Sequence, residues 1–380
     1  MAFYVPWIGP LLVNRRGLAT GGAETQIFLL SRALTQRGLR VCLLVFAIPG
    51  VDIPPSVDGV DVIVRPPYRA KQRLLGKVRE VVNIRATLRS VDADVIVTRA
   101  AGPHVGLIRL FTRRRRFVYS SASPHDFDVA RVASKRRDRL LLSFGLRLAD
   151  EIVVQTEEQR QSCRNQLGRT PIVIRSLCDL GEQGDAVPEA FLWVGRYHRY
   201  KRPLEYLELA RSMPEAQFWM VLSSTAPTRE DVELQHRVEA EARILPNVRL
   251  LHALPRPELK NFVGRAVAMV TTSEYEGMSN VLLEGWAQGV PALVLSYDSD
   301  GIVARECLGL VAGGSREVFL RHARELWAGR LDRSEVAARC RAYVEEHHTP
   351  EQLADRWADV LVRGFRPAVH DTLAPEAASA

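Results

Sequence analysis

The chain has 380 residues, of which 47% are apolar and 25% are charged. These fractions are typical of globular domains, so they exclude wholesale disorder, a collagen-like fibre and a disulfide scaffold. No stretch approaches 18 uninterrupted apolar residues, and residues 1–10 lack a charged n-region and a cleavage site. We therefore expect neither a transmembrane helix nor a signal peptide. The five cysteines are odd in number and show no C-x-x-C spacing, which predicts reduced thiols in a cytoplasmic protein.

The net charge of +8 is unevenly distributed. Residues 1–185 contain 29 Lys and Arg against 17 Asp and Glu, whereas the remainder contains 23 against 27. A basic first half suggests an anionic partner there, and nucleic acid, a membrane face and a phosphorylated acceptor all qualify. A merely solvated surface explains the charge equally well.

Apolar runs alternate with helical patterns along the chain, which predicts an α/β fold with parallel sheets covered on both faces. In the first half we predict strands at 3–8, 41–46, 60–64, 95–98, 117–120 and 152–156, with helices at 23–37 and 135–148. The polar segment 180–188 reads as a linker. The pattern then restarts, with strands at 190–194, 217–222, 248–251, 267–271 and 292–295 and helices at 202–212, 280–288 and 350–361.

Four segments could carry chemistry. Gly21 and Gly22 precede a predicted helix, where backbone N–H groups favour a phosphate, although such a pair is often a plain turn. Arg196 and Lys201 follow the first strand of the second half, where ligands of open α/β sheets bind. Two cations there can grip a diphosphate, or they can belong to a solvated loop.

The third segment is Ser273–Pro291. In it Glu276 follows a strand, and Ser279 or Asn280 can cap the next helix. Glu284 lies eight positions after Glu276 in an apolar run, where an unpaired carboxylate would be costly. Two carboxylates near one helix start can accept hydrogen bonds from sugar hydroxyls, or can simply stabilise the helix dipole. The fourth segment contains His125 after a strand; an isolated histidine is more often structural.

Together these segments resemble the retaining nucleotide-sugar glycosyltransferases of GT-B fold, in particular family 4 (glycosyl transferases group 1). The resemblance covers nearly the whole chain. It rests on GGAE near the start, GR-x4-K after the linker, and S-x-x-EG-x-x-N-x-x-LE-x-x-A-x-G-x-P. It implies two Rossmann-like domains facing a central cleft, at 1–183 and 184–349. It also implies a helix at 350–366 that returns to the first domain; we expect 367–380 to be disordered.

The resemblance also assigns roles to residues. Arg196 and Lys201 would hold the donor diphosphate, Glu276 the transferred sugar and Glu284 the ribose. The backbone of Gly277, Met278, Ser279 and Asn280 would support sugar and phosphate. Gly21 and Gly22 would close over the diphosphate, and His125 would lie near the reacting sugar. The catalytic set is His125, Glu276, Arg196 and Lys201.

The predicted reaction transfers a sugar from a UDP- or GDP-sugar to a hydroxyl of a lipid-linked, saccharide or small-molecule acceptor. Such a reaction would belong to the biosynthesis of cell-envelope polysaccharides, glycolipids or specialised metabolites. Asp298-Ser-Asp300 looks like a D-x-D metal motif, but we interpret it as a turn. Because side-chain cations already neutralise the diphosphate, we expect no metal and no other cofactor.

Residues 65–90 contain eight Lys and Arg and one acidic residue. Leu74, Val78, Val81 and Leu88 recur at near-helical spacing, so this helix could lie on an anionic membrane at the inner face of the cell membrane. The cations of 113–116 and 135–137 would add to that surface. The alternative is a helix packed on its own sheet.

Two other functional classes stay open: a nucleotide-sugar epimerase of the same fold, and a non-enzymatic membrane- or nucleic-acid-binding protein. No RNA-binding, helix-turn-helix or zinc signature supports a nucleic-acid partner.

Overall fold

The apolar runs of the first half form one largely parallel sheet. The computed structural model of the protein describes residues 1–14, 21–66, 75–181, 186–223 and 228–363. The sheet has the strand order β3-β4-β2-β1-β5-β6-β7-β8, and only β3 pairs antiparallel. Its strands are β1 Ala2–Tyr4, β2 Cys42–Phe46, β3 Ser56–Val57, β4 Val60–Arg65, β5 Val95–Arg99, β6 Arg116–Ser120, β7 Glu151–Val154 and β8 Ile172–Val173.

The second half forms a separate parallel sheet in the order β11-β10-β9-β12-β13-β14. Its strands are β9 Ala190–Arg196, β10 Phe218–Ser223, β11 Val248–His252, β12 Ala266–Thr271, β13 Ala292–Val294 and β14 Gly309–Val311. Both predicted sheets are confirmed. The short strands β3, β8 and β14 were missed because two or three residues carry too little periodicity to be recognised.

Helices cover both faces of each sheet, as parallel sheets require. In the described part of the chain they are α1 Gly9–Val13, α2 Gly22–Gln36, α3 Leu75–Arg89, α4 His104–Phe111, α5 Val129–Val132, α6 Arg136–Arg147, α7 Glu157–Leu167, α8 Pro203–Arg211, α9 Arg229–Arg243, α10 Arg256–Gly264, α11 Asn280–Ala287, α12 Ile302–Arg305, α13 Arg316–Trp327, α14 Arg333–His347 and α15 Pro350–Val362. None of the described helices is long and apolar enough to cross a membrane.

The last helix, α15, returns to the first domain as predicted. Its apolar residues Leu353, Trp357 and Leu361 are buried in the core formed by α2 and the first sheet. The Arg116 guanidinium donates to the Val360 carbonyl at 2.9 Å, which ties the end of α15 to β6. The predicted disordered tail, 367–380, lies outside the described residues.

Two predicted elements were wrong in detail. The strand predicted at 3–8 ends at Tyr4, because Pro6 has no N–H to continue the ladder and the chain turns into α1. The apolar face predicted for α3 was wrong at Val78, which is 59% exposed, and right at Leu88, which is buried together with Ile84 and Thr87. Leu74 lies outside the described residues.

The strand orders place a crevice at the same end of both sheets. In the first sheet the order in which successive strands are added reverses between the parallel neighbours β1 and β5. In the second sheet it reverses between β9 and β12. Ligands of open parallel sheets bind beyond the carboxyl ends of the strands at such points. The residues that follow β1, β5, β9 and β12 therefore lie at these two crevices.

Candidate active site

The loops after β9 and β12 lie side by side. A short 3-10 turn, Arg199–Lys201, follows β9. It is held to the β12 loop by two hydrogen bonds: Thr272 Oγ1 donates to the Lys201 carbonyl at 2.7 Å, and the Glu274 N–H donates to the Tyr200 carbonyl at 2.8 Å. Residues far apart in sequence are thereby fixed at one edge of the sheet.

This arrangement brings Lys201 and Glu276 into contact. The Lys201 ammonium forms an ion pair with Glu276 Oε1, which also accepts a hydrogen bond from Ser273 Oγ at 2.7 Å. The two charged side chains are only 16% and 18% exposed. Within the described part of the chain Oε2 of Glu276 receives no hydrogen bond, so that oxygen is available to a ligand.

Arg196, the last residue of β9, carries a charge without an acidic partner. Its Nη2 lies 3.4 Å from the Tyr200 hydroxyl. No carboxylate of the described residues lies within ion-pair distance of its guanidinium. Arg196 and Lys201 therefore lie on one loop as predicted, and the strand end leaves the Arg196 guanidinium free to meet an anion.

Glu284 lies apart from Glu276, one turn into α11. Its carboxylate is paired with Arg256 of α10 at 2.7 Å, and the negative charge of Glu284 raises the pKa of Arg256. The carboxylate in this apolar run thus has an ion-pair partner within the second domain, and its role toward a ribose stays a prediction. Sequence reasoning missed Arg256, although its place shortly after β11 at the carboxyl edge of the sheet could have indicated it.

Glu284 and Arg256 line a cleft of about 310 Å³ between the domains. Gln26 of α2 and Asn280 of α11 line the same cleft. This cleft lies between the first-domain helix that follows Gly21 and the second-domain helix that carries Glu284. It can admit a polar ligand that contacts both domains.

The start of α11 has no side-chain cap, contrary to expectation. Ser279 is the N-cap residue, but its side chain makes no capping hydrogen bond. Asn280 instead donates from Nδ2 to the Gly22 carbonyl at 2.7 Å and accepts from Gln26 Nε2 at 3.0 Å. Both bonds cross to the first domain, so the first N–H groups of α11 stay available to an anion.

Two of the predicted glycines, Gly22 and Gly277, lie at close contacts between the domains. A Cβ on Gly22 would come within 2.5 Å of Asn280 Nδ2, so a larger residue would have to displace the Asn280 amide. A Cβ on Gly277 would lie 2.8 Å from the Ala122 carbonyl oxygen. Gly21 is the N-cap of α2 and lies against the Glu24 carboxylate. Met278 is 7% exposed and belongs to the second-domain core.

His125 of the first domain packs against the second domain, and its place near a reacting sugar stays a prediction. Its ring packs edge-on against Tyr275, with ring centroids 4.3 Å apart, and Tyr275 stacks on Tyr200 at 4.6 Å. Arg131 Nη1 lies 3.3 Å from His125 Nδ1. Because a guanidinium can only donate, Nδ1 accepts and the ring proton lies on Nε2.

Burial and then the Arg131 charge lower the pKa of His125, so the neutral ring predominates at pH 7. Its Nε2 is buried and has no hydrogen-bond partner among the described residues. The residue therefore presents an unused N–H donor near Tyr275, the neighbour of Glu276. Sequence reasoning missed Arg131 and the two tyrosines, since nothing in their spacing indicates contacts across the cleft.

The two aspartates of the D-x-D segment accept hydrogen bonds from backbone N–H groups. Asp298 accepts from Val303 N at 2.9 Å and Ala304 N at 3.0 Å, at the start of α12. Asp300 accepts from Glu157 N at 2.9 Å and Glu158 N at 3.1 Å, at the start of α7 in the first domain. Among the described residues no cluster of His, Cys, Asp and Glu has the arrangement of a metal site.

Two family profiles match this chain. "Glycosyl transferase 4-like domain" matches residues 21–177, and "Glycosyl transferases group 1" matches residues 185–305. The chain belongs to the family 4-like, group 1 glycosyltransferases. The family resemblance inferred from the motifs is therefore confirmed. The matched ranges contain Gly21, Gly22 and His125 in the first profile and the basic and acidic loops in the second.

Comparison with a curated relative is limited to part of each chain. "Glycosyltransferase 1 domain-containing protein 1" of Xenopus tropicalis is 24% identical over 165 residues. This alignment covers 43% of the present chain and 47% of the relative. The chain thus matches about half the length of that relative.

Solved structures confirm the GT-B fold. The sucrose-phosphate synthase of Thermosynechococcus elongatus is 17% identical with a TM-score of 0.76, and the match covers 96% of this chain and 98% of that one. WaaG, a glycosyltransferase involved in lipopolysaccharide biosynthesis, is 16% identical with a TM-score of 0.69, covering 96% and 100%. Anabaena Alr3699/HepE in complex with UDP and glucose is 16% identical with a TM-score of 0.69, covering 95% and 99%.

Proposed function

We propose that this glycosyltransferase moves a sugar from a UDP- or GDP-sugar to a hydroxyl acceptor with retention of configuration and without a metal. The observation that carries the proposal is the grouping of Arg196, Lys201 and Glu276 at the carboxyl edge of the second sheet. A solved structure of similar fold, Alr3699/HepE, is in complex with UDP and glucose, which supports a nucleotide-sugar donor.

In the proposed reaction the bond between sugar and diphosphate ionises, and negative charge builds on the leaving group. Arg196 and Lys201 supply fixed positive charge at that place, and the open N–H groups of α11 add to it. Glu276 Oε2 accepts from a hydroxyl of the transferred sugar, and Glu284 from the ribose. For Glu284 this requires the ribose to share the carboxylate with Arg256 or displace Arg256 from it.

Retention is proposed from the family resemblance, and the role given to Glu276 favours a same-face attack over a covalent double displacement. Glu276 Oε1 is already occupied by Lys201 and Ser273, which suits holding the sugar better than attacking its anomeric carbon. The acceptor hydroxyl would then attack on the face of the leaving group, and the departing phosphate would take its proton. His125 Nε2–H, buried and unpartnered, would donate to a sugar oxygen on the acceptor side.

Nucleotide binding without metal tests this proposal. In buffer containing EDTA, UDP or GDP is expected to raise the melting temperature, because a ligand at 100 times its Kd stabilises the native state by about 2.7 kcal/mol. Uridine and guanosine, which lack the diphosphate, are the matched control ligands. A shift that appears only after Mg²⁺ is added would contradict metal independence, and no shift with either nucleotide would contradict the donor assignment.

Product analysis with the nucleotide sugar then distinguishes the reactions. A transferase releases nucleoside diphosphate and forms a product of unchanged anomeric configuration on the acceptor. An epimerase would convert the sugar without any acceptor. Inverted product would overturn retention while leaving the transferase assignment intact.

We further propose that the first domain docks on an anionic membrane at the cytoplasmic face. Val78 and Val82 of α3 are 59% and 56% exposed, and Leu140 of α6 is 63% exposed. Arg113 and Arg114 are exposed cations of the same domain. Arg115 and Arg116 are less available to lipid headgroups, because their guanidinium groups donate to the carbonyls of Leu88 and Val360, respectively.

Vesicle sedimentation tests membrane docking. The protein is expected to pellet with phosphatidylglycerol vesicles and not with phosphatidylcholine vesicles, since both exposed apolar side chains and cations contribute to such binding. The variant V78S/V82S should lose most of the pelleted fraction. The matched control, Val187→Ser, changes an exposed valine of the linker region. Docking would be contradicted if the same fraction of the protein stayed in the supernatant with both kinds of vesicle at all salt concentrations.

A further inference from the structure

Arg99 is a cation at the switch point of the first sheet that the donor site does not use. It is the last residue of β5, the strand that pairs with β1 where the strand order reverses. Its position at the carboxyl edge of the first sheet resembles that of Arg196 in the second. Arg99 therefore lies at the crevice of the first domain, where an acceptor would bind.

The guanidinium of Arg99 has few of its hydrogen bonds satisfied. Nη1 donates to Ser120 Oγ at the end of β6, at 2.9 Å. Nε is shielded from solvent and has no partner among the described residues. Within the described ranges no carboxylate forms an ion pair with Arg99. A shielded donor without an acceptor is costly, and a planar guanidinium is suited to bind an oxyanion through two N–H groups at once.

The nearest acidic groups are held by other partners. Asp126 Oδ2 accepts from Ala122 N at 2.7 Å, Tyr119 OH at 2.9 Å, Ser121 Oγ at 3.1 Å and Ser123 N at 3.3 Å. Glu24 lies against Gly21 at the start of α2. Both carboxylates attract Arg99 at longer range, but neither satisfies it.

Burial lowers the pKa of Arg99 to about 10, so the side chain stays charged at pH 7. A half-buried positive charge that lacks an ion-pair partner among the described residues is poorly compensated until an anion arrives. The start of α4, which follows β5, also lacks a side-chain cap at its N-cap residue Pro103. Its partial positive charge adds to the field at this edge of the sheet.

We propose that Arg99 binds an anionic group, a phosphate or a carboxylate, on the acceptor substrate. This inference rests on the proposed transferase function, because it concerns the acceptor side of that reaction. Asp126 links the two sites: it lies near Arg99 and directly follows His125, whose ring faces the second domain. The acceptor would place its anion on Arg99 and its hydroxyl toward the donor sugar.

Calorimetric titration of the full chain tests this inference. The probes are glycerol 3-phosphate, glycerate and glycerol, which share a three-carbon skeleton and differ in the anion. With saturating nucleoside diphosphate, wild type is expected to bind at least one anionic probe tenfold or more tightly than glycerol. Arg99→Gln should remove that difference and leave nucleoside diphosphate binding unchanged. Arg164→Gln, at an exposed arginine of α7 in the same domain, is the matched control and should behave as wild type.

The outcomes separate this inference from the proposed function. Equal binding of charged and neutral probes by wild type, or unchanged anion binding by Arg99→Gln, would overturn the acceptor inference alone. Loss of nucleoside diphosphate binding by wild type would overturn the donor site, while titration of the unliganded protein would still report on Arg99. If Arg99→Gln does not fold, the Nε–H resonance of Arg99 in wild type provides a second measurement. That resonance should shift when an anionic probe is added and stay unchanged with glycerol.

Discussion

Replacing Arg196 by alanine is expected to lower turnover by on the order of 100-fold, the usual loss when one group that stabilises transition-state charge is removed. Its guanidinium has no acidic partner among the described residues and makes one long hydrogen bond, to Tyr200. The free energy of unfolding should therefore change by less than about 0.5 kcal/mol. Steady-state kinetics with the donor sugar, together with thermal unfolding, measure the two quantities.

The control for this variant is Arg199→Ala. Arg199 is exposed and lies three positions after Arg196, in the 3-10 turn that follows β9. Its substitution removes the same charge. It should keep turnover within a few-fold of wild type. Near-native turnover of Arg196→Ala, or an equal loss in both variants, would reject the assignment of Arg196 to the leaving diphosphate.

The sequence was informative about the backbone and about residues that share a loop. Arg196 and Lys201 are five positions apart after a strand, so the strand end alone places both at one edge. Alternating apolar runs likewise predicted the two sheets, because buried parallel strands are short and apolar on both faces. The predicted strand ends were wrong mainly where a local feature stops the strand pairing, as Pro6 does after β1.

Side-chain partners on separate elements could not be predicted from such patterns. Arg256 and Glu284 belong to different helices, and Arg131 meets Tyr275 only because two separately folded domains face each other. Hydrophobic periodicity encodes which side of an element is buried, but not which polar group of another element it will meet. The same limit applies to α3. Its near-helical spacing predicted that Val78 belongs to the buried face, whereas in the structure Val78 is exposed.

The aspartates of the D-x-D segment have backbone partners in the described part of the chain. Two aspartates two positions apart can coordinate a cation, but in this chain they cap different helices. Asp298 fixes α12 within its own domain, whereas Asp300 reaches α7 of the first domain. Carboxylates at helix starts are stabilised by the open N–H groups and the helix dipole. Their place opposite α7 assigns this segment to contact between the domains.

Lys201→Ala is expected to lower turnover by at least on the order of 100-fold, for two reasons. The diphosphate loses a cation, and Glu276 is left as an uncompensated negative charge beside it. Glu276→Gln should also lower turnover, because the sugar loses a charged acceptor. In the double variant K201A/E276Q the repulsion is absent. If the two substitutions acted independently, their separate reductions in turnover would multiply. The turnover of the double variant should exceed that multiplied value by tenfold or more, within the range of coupling seen for contacting residues.

A double-mutant cycle measured by steady-state kinetics tests this coupling. The ion pair between Arg229 and Glu233 is the matched control, since it joins exposed side chains on α9. Its cycle should show no coupling in turnover. Strict additivity of Lys201→Ala and Glu276→Gln would contradict the shared role, because two groups that act on separate parts of the donor would contribute independently. Coupling would instead indicate that Lys201 and Glu276 act as a pair on one bound donor.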